Sequence, residues 1–120
     1  MNNLYIILLE NKKNVSKNIG KKGIFLFSPG YYIYIGSAKK NPMARIERHL
    51  KKEKKLFWHI DYITSFMEIR KVLLFRFVEF TECELAQNIF NEFKVEFPGK
   101  GLGSSDCKCY SHFAKINEKV

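Results

Sequence analysis

The sequence predicts a small fold that mixes strands with helices, and three observations carry that reading. Short apolar runs of β-rich composition, separated by turn residues, fill the segment from Leu4 to Ile35. From Asn41 onward, apolar residues recur at helical spacing behind recognisable helix starts. The chain of 120 residues is the size of one domain, able to bury a core without disulfides or a structural metal.

The elements follow in order. Leu4 to Leu9 is apolar on both faces and reads as a buried strand, ended by the polar Glu10 to Asn14. Val15 to Ile19 reads as a weaker strand. Ile24 to Phe27 and Tyr31 to Ile35 flank Ser28-Pro29-Gly30, a turn in which proline fixes its own φ and glycine accepts positive φ, so an antiparallel hairpin is expected. Asn41-Pro42 reads as an N-cap followed by proline at the first helical position, and Met43, Ile46 and Leu50 continue at helical spacing for about three turns. Trp58 to Met67 repeats that spacing through Ile60, Ile63 and Met67. Val72 to Val78 reads as a strand, and Thr81 opens a helix through about Phe93. The segment Gly99 to Cys109, rich in Gly and Ser, reads as an ordered loop or short edge segment. Nothing in the chain marks a repeat, a low-complexity tract or a linker, so one domain over 1–120 is expected.

The formal net charge of +9 is large for this size, and a polyanionic partner is its first physical explanation. Between Lys39 and Lys55 eight Lys/Arg face only Glu47 and Glu53, so six of the excess charges sit in one short segment. Lys39, Lys40, Arg48, Lys51 and Lys52 are the nucleic-acid contacts expected from it. DNA is the expected partner, although cationic contacts to phosphate serve RNA equally. No apolar run is long enough to span a bilayer, and the run Leu4 to Leu9 lacks the flanks of a secretion signal. Three cysteines cannot all pair within one chain, and Cys107 and Cys109 are too close for an ordinary bridge. That pattern fits a reducing compartment, hence a cytoplasmic protein.

Tyr34-Ile35-Gly36-Ser37-Ala38, with Arg45 nine residues after the glycine and His49 four residues further on, resembles the GIY-YIG nuclease superfamily. Trp58-His59-Ile60-Asp61-Tyr62, Glu82-Cys83-Glu84-Leu85-Ala86 and Gly103-Ser104-Ser105-Asp106-Cys107-Lys108-Cys109-Tyr110-Ser111-His112 look like an uncharacterised prokaryotic branch of it, which occurs alone and fused to endonuclease III-type DNA glycosylases. The resemblance implies an α+β fold with a central antiparallel sheet flanked by helices. It also implies a metal-dependent endonuclease that hydrolyses DNA phosphodiester bonds in repair or processing.

The same residues make chemical sense by themselves. Hydrolysis of a phosphodiester needs a base for water, positive charge on the phosphate and a cation at the leaving oxygen. Tyr32 and Tyr34 share one face of their strand because side chains alternate. A phenol is a poor base until a cation stabilises the phenolate, and Arg45 or a metal is placed to do so. Arg45 and His49, at i and i+4, are neighbours on one helix face. Arginine grips phosphate with two parallel N–H donors, and histidine exchanges protons near neutrality. His59 is a second proton carrier. The superfamily's first tyrosine, from its Gly-Ile-Tyr motif, is assigned to Tyr5 in Asn3-Leu4-Tyr5 rather than to Gly23-Ile24-Phe25, which lacks the hydroxyl. This choice requires the segment Val15 to Phe27 to be looped out.

The metal ligand implied by the resemblance is a glutamate on a later helix. With Leu85, Ala86, Ile89 and Phe93 facing inward, Glu82 falls on the same stripe, whereas Glu84 lies opposite and completes a capping box with Thr81. Glu82 is therefore the ligand expected for Mg²⁺ or Mn²⁺. Cys107, Cys109 and His112, with Cys83, form the weaker alternative of a zinc site, since Cys-x-Cys is tighter than the usual ligand spacing. Ser105 or Asp106 stands where the superfamily has a late asparagine. The competing expectation is a DNA-binding accessory module with weak or no turnover; a zinc-stabilised interaction domain is a third.

Overall fold

A computed structural model describes residues 2–38, 40–51, 54, 56, 59–99, 102 and 111–117. The first 37 residues form β1 (Asn2–Asn11), β2 (Val15–Asn18), β3 (Ile24–Phe27) and β4 (Gly30–Ser37). There follow α1 (Pro42–Leu50), α2 (His59–Thr64), β5 (Glu68–Val78), α3 (Glu82–Glu92), β6 (Val95–Glu96) and β7 (Phe113–Ile116). Five strands make one sheet in the order β5-β1-β4-β7-β6, and every described pairing in it is antiparallel. The fold is α+β, a central antiparallel sheet with helices on its faces, as the sequence predicts.

One expectation is corrected. β3 does not pair with β4; it pairs with β2 as a separate two-stranded sheet. The reason is competition for edges. β4 has β1 on one side, from Leu4↔Ser37 to Asn11↔Gly30, and β7 on the other, so no ladder remains for β3. The β2–β3 hairpin is thus an excursion between two strands that pair directly, which is the looping-out that the choice of Tyr5 requires. Asn11 secures its base, its side-chain amide donating to the carbonyls of Phe27 and Ser28.

Alternation along β1 and β4 makes two cores. Tyr5, Ile7 and Leu9, with Tyr32 and Tyr34, point to one face and pack against Ile46 of α1 and Ile60 and Ile63 of α2. Ile6 and Ile35 point to the other face and meet Ala86, Leu85 and Ile89 of α3. Burying nine-tenths or more of an aliphatic side chain is worth about 1.5–3 kcal/mol, so the two faces fix the register of β1.

Asn41 caps α1, its Oδ1 accepting from Ala44 N–H at 3.1 Å, with Pro42 opening the helix. The inward stripe is Pro42, Ile46 and His49; Met43 and Leu50, expected to face the core, are exposed. α2 is shorter than its helical spacing suggests, but Ile60, Ile63 and Met67 are all buried. β5 begins four residues earlier than expected and carries a bulge at Phe77, where φ is +56° and the N–H donates to Asn3 Oδ1. Thr81 and Glu84 form the expected capping box, and α3 turns Phe90 inward in place of the exposed Phe93. No helix among the described residues is long and apolar enough to cross a membrane.

Candidate active site

Tyr5 and Gly36 face each other directly across β1 and β4. The phenol ring lies over the glycine, and its hydroxyl meets His49 Nε2 of α1 at 2.8 Å. Tyr34, one alternation earlier on β4, has its ring centroid 6.3 Å from that of Tyr5 and 6.2 Å from that of His49. A glycine is needed at 36 because no other residue leaves room for the ring above it.

Arg45 stands one turn before His49 and donates from Nη1 to the Ser37 carbonyl at 2.6 Å, which ties α1 to the end of β4. Its charge acts on both phenols and favours their ionised forms. Glu82, the first residue of α3, is close enough for its charge to act in the opposite sense on both. The structure therefore brings Tyr5, Tyr34, Arg45, His49 and Glu82 to one end of the sheet. His59, half-buried, opens α2, the helix that packs on α1.

Burial dominates the ionisation of the site. It pushes the Tyr5 hydroxyl up to about 12 against the opposing pull of Arg45, and raises Tyr34 well above the ordinary phenol value. It also lowers His49 to about 4, with Asp61 opposing and the cations Lys54, Arg45 and Arg48 adding to the effect. Near neutrality His49 is uncharged, and its Nε2 and the Tyr5 hydroxyl share a hydrogen bond. Both directions of shift favour the neutral pair, so the resting phenol is un-ionised and is not a base.

Two residues of the basic segment have structural duties that its charge does not reveal. Arg48 Nη1 pairs at 2.6 Å with Oδ1 of Asp61, a carboxylate with no exposed surface, and so clamps α1 to α2. Lys54 donates to the carbonyls of Arg48, His49 and Lys51, satisfying the last turn of α1. Lys40 and Lys51 are exposed, as binding to phosphate requires, while Lys39 and Lys52 lie outside the described residues.

Glu82 fits a cation held by one carboxylate. It is the first residue of a helix, its side chain is about a quarter exposed, and its Oε2 lies beside His112 Nδ1 while Oε1 has no hydrogen bond among the described residues. Glu84 is occupied instead with the Thr81 N–H. No group of three or more His, Cys, Asp or Glu suited to a metal occurs among the described residues. Cys83 is disulfide-bonded, which corrects the expectation of reduced cysteines at this position and removes its thiolate as a zinc ligand. Cys107 and Cys109, and with them Ser105 and Asp106, lie outside the described residues.

Sequence reasoning missed the tight placement of His112 beside Glu82. The only signal for it was Phe113 to Ile116, whose alternation is too short to announce a strand. A cleft of about 460 Å³ lies elsewhere, between the β2–β3 hairpin and Glu96, and none of the gathered residues lines it. No curated protein and no solved structure matches the chain. Residues 4–120 match the family described as Domain of unknown function DUF123, and with nearly its whole length covered the chain belongs to that family.

Proposed function

We propose that the chain is a metal-dependent nuclease of the GIY-YIG type that hydrolyses DNA phosphodiester bonds. The observation that carries this reading is the seat of Tyr5 over Gly36, with its hydroxyl on His49 and with the charges of Arg45 and Glu82 acting on it in opposite senses. Arg45 would bind the phosphate through its guanidinium, neutralising charge as the phosphate is attacked. Tyr5 and Tyr34, both un-ionised at rest, would orient the attacking water and a phosphate oxygen by hydrogen bonds. His49 would take the Tyr5 proton when bound charge lowers the cost of that transfer, with His59 as a second carrier. Glu82 would hold Mg²⁺ or Mn²⁺, which when bound supplies positive charge at the phosphate and makes water easier to deprotonate. Lys40 and Lys51 would track the strand.

One observation favours a second reading, a DNA-binding accessory module without turnover: burial holds both phenols un-ionised and His49 uncharged, so nothing in the resting pair is a strong base. A panel of labelled single-stranded, duplex, branched and abasic DNAs, incubated with Mg²⁺ or Mn²⁺ against chelator, separates the two. Chelator-sensitive cutting of any substrate supports the nuclease. Binding with no cutting in any lane supports the accessory module, and absence of both overturns the two together.

A further inference from the structure

His112 is fixed from both sides before its side chain is considered. Its N–H donates to the Leu102 carbonyl at 2.9 Å, its own carbonyl accepts from Ile35 N–H at 3.0 Å, and Ser111 beside it bonds to Leu102 and Phe113. The imidazole has no exposed surface. Its Nδ1 lies 2.5 Å from Glu82 Oε2, yet neither ring nitrogen makes a hydrogen bond among the described residues. The distance is short enough for one, so the approach must be off the line along which an imidazole N–H donates. A buried imidazole normally has its nitrogens satisfied, and two electron-pair donors turned toward each other without a well-placed proton between them call for a positive charge.

We propose that His112 Nδ1 and the Glu82 carboxylate together ligate one divalent ion of the first transition series, Mn²⁺ in preference to Mg²⁺. Mn²⁺ suits a carboxylate and, as a first-row transition ion, also accepts an imidazole nitrogen, with Zn²⁺, Fe²⁺ and Ni²⁺ accepting it more strongly, whereas Mg²⁺ prefers oxygen and keeps most of its waters. Adjacent ligands at bond lengths of about 2.1 Å stand about 3.0 Å apart in an octahedral shell, so the pair must open by about half an ångström. The partly exposed Glu82 can make that movement, while His112 is held by its backbone. Two protein donors leave the other positions to water and to phosphate oxygens. The use of the ion in cleavage rests on the nuclease reading; its binding does not.

The test uses the full chain without nucleic acid and Mn²⁺ as the probe. Electron paramagnetic resonance should show one Mn²⁺ bound per chain, with pulsed measurements detecting the nitrogen of a coordinated imidazole, and Mg²⁺ should compete only at about tenfold or greater excess. Glu82→Gln and His112→Gln should each weaken Mn²⁺ binding by at least about tenfold, the smaller cost already seen on losing a mere neighbour of a ligand. Mn²⁺ held without nitrogen coupling, binding unchanged in His112→Gln, or no stoichiometric binding would each overturn the proposal. If circular dichroism shows His112→Gln unfolded, the wild-type nitrogen signal and its persistence in His59→Gln decide the matter. Nitrogen-coupled Mn²⁺ in a protein that cuts no DNA sinks the nuclease reading alone, and cutting with Mn²⁺ that lacks nitrogen coupling sinks this one alone.

Discussion

Tyr5 and Gly36 occupy one another's space: a Cβ at position 36 would stand 2.5 Å from Tyr5 Cζ and 2.6 Å from its hydroxyl oxygen. The requirement is one of room rather than of backbone freedom, because Gly36 has no positive φ. It ties the glycine after Tyr34-Ile35 to a tyrosine thirty-one positions earlier in the chain, through the register of β1 on β4.

Gly36→Ala should therefore push the phenol off His49 and cost about 1–3 kcal/mol of stability, the usual penalty of overpacking. In a Tyr5→Ala background, where the ring is gone, the same substitution should cost clearly less. Urea denaturation of the four proteins in this cycle measures the coupling, and additive effects would refute the close approach of ring and glycine.

Much of this arrangement is legible in the sequence, and the failures share a cause. Asn41-Pro42 and Thr81 with Glu84 are readable because capping uses hydrogen bonds within three residues. The assignment of Tyr5 follows from which segment bears a hydroxyl. The false β3–β4 hairpin comes from a sound local turn signal overruled by nonlocal competition, since β7, which takes the free edge of β4, is recognisable only by its partner. Met43 and Leu50 show a helix phase that is right in period and wrong in rotation: Asn41 enters α1 at φ +44°, and the inward side goes to Pro42, Ile46 and His49. Charge alone likewise cannot show that Arg48 and Lys54 are bound to Asp61 and to the end of α1.

His49 makes stability depend on pH in a definite direction. Its imidazole titrates near 6.5 when unfolded and near 4 when folded, so the folded state binds the proton less well. The contribution is present in full above about pH 6.5 and disappears as pH falls toward 4, about 3 kcal/mol in all. His49→Gln should show a flatter pH dependence across that window, measured as the difference in unfolding free energy from wild type at each pH. Parallel curves would contradict the buried, uncharged imidazole.

Within the basic segment, exposed and capping lysines should separate cleanly. Replacing Lys40 and Lys51 with Ser should weaken DNA binding similarly on unrelated sequences and reduce the salt slope by about 0.9 for each duplex phosphate that is no longer neutralised. Lys54→Ser should instead lower stability by about 1 kcal/mol, by freeing the carbonyls of the last turn of α1. A salt slope that moves only with Lys54 would reverse the assignment.

Arg45, Glu82 and Glu84 give the sharpest test of the site. Arg45→Lys keeps the charge but removes the planar fork, of which one arm is already engaged by the Ser37 carbonyl, so a lysine that replaces that hydrogen bond has little left for phosphate. Cleavage should fall about a hundredfold or more while DNA binding changes little. Glu82→Gln keeps the size of the side chain and removes its anion, so cleavage should fall comparably and higher Mn²⁺ should restore little of it. Glu84→Gln is the control on the same turn, because a glutamine still accepts from the Thr81 N–H, and both activity and stability should stay near wild type, within about 0.5 kcal/mol for the latter. An inactive Glu84→Gln beside an active Glu82→Gln would mean that α3 presents the opposite face to the phosphate, which the burial of Ala86 against Ile6 and Ile35 argues against.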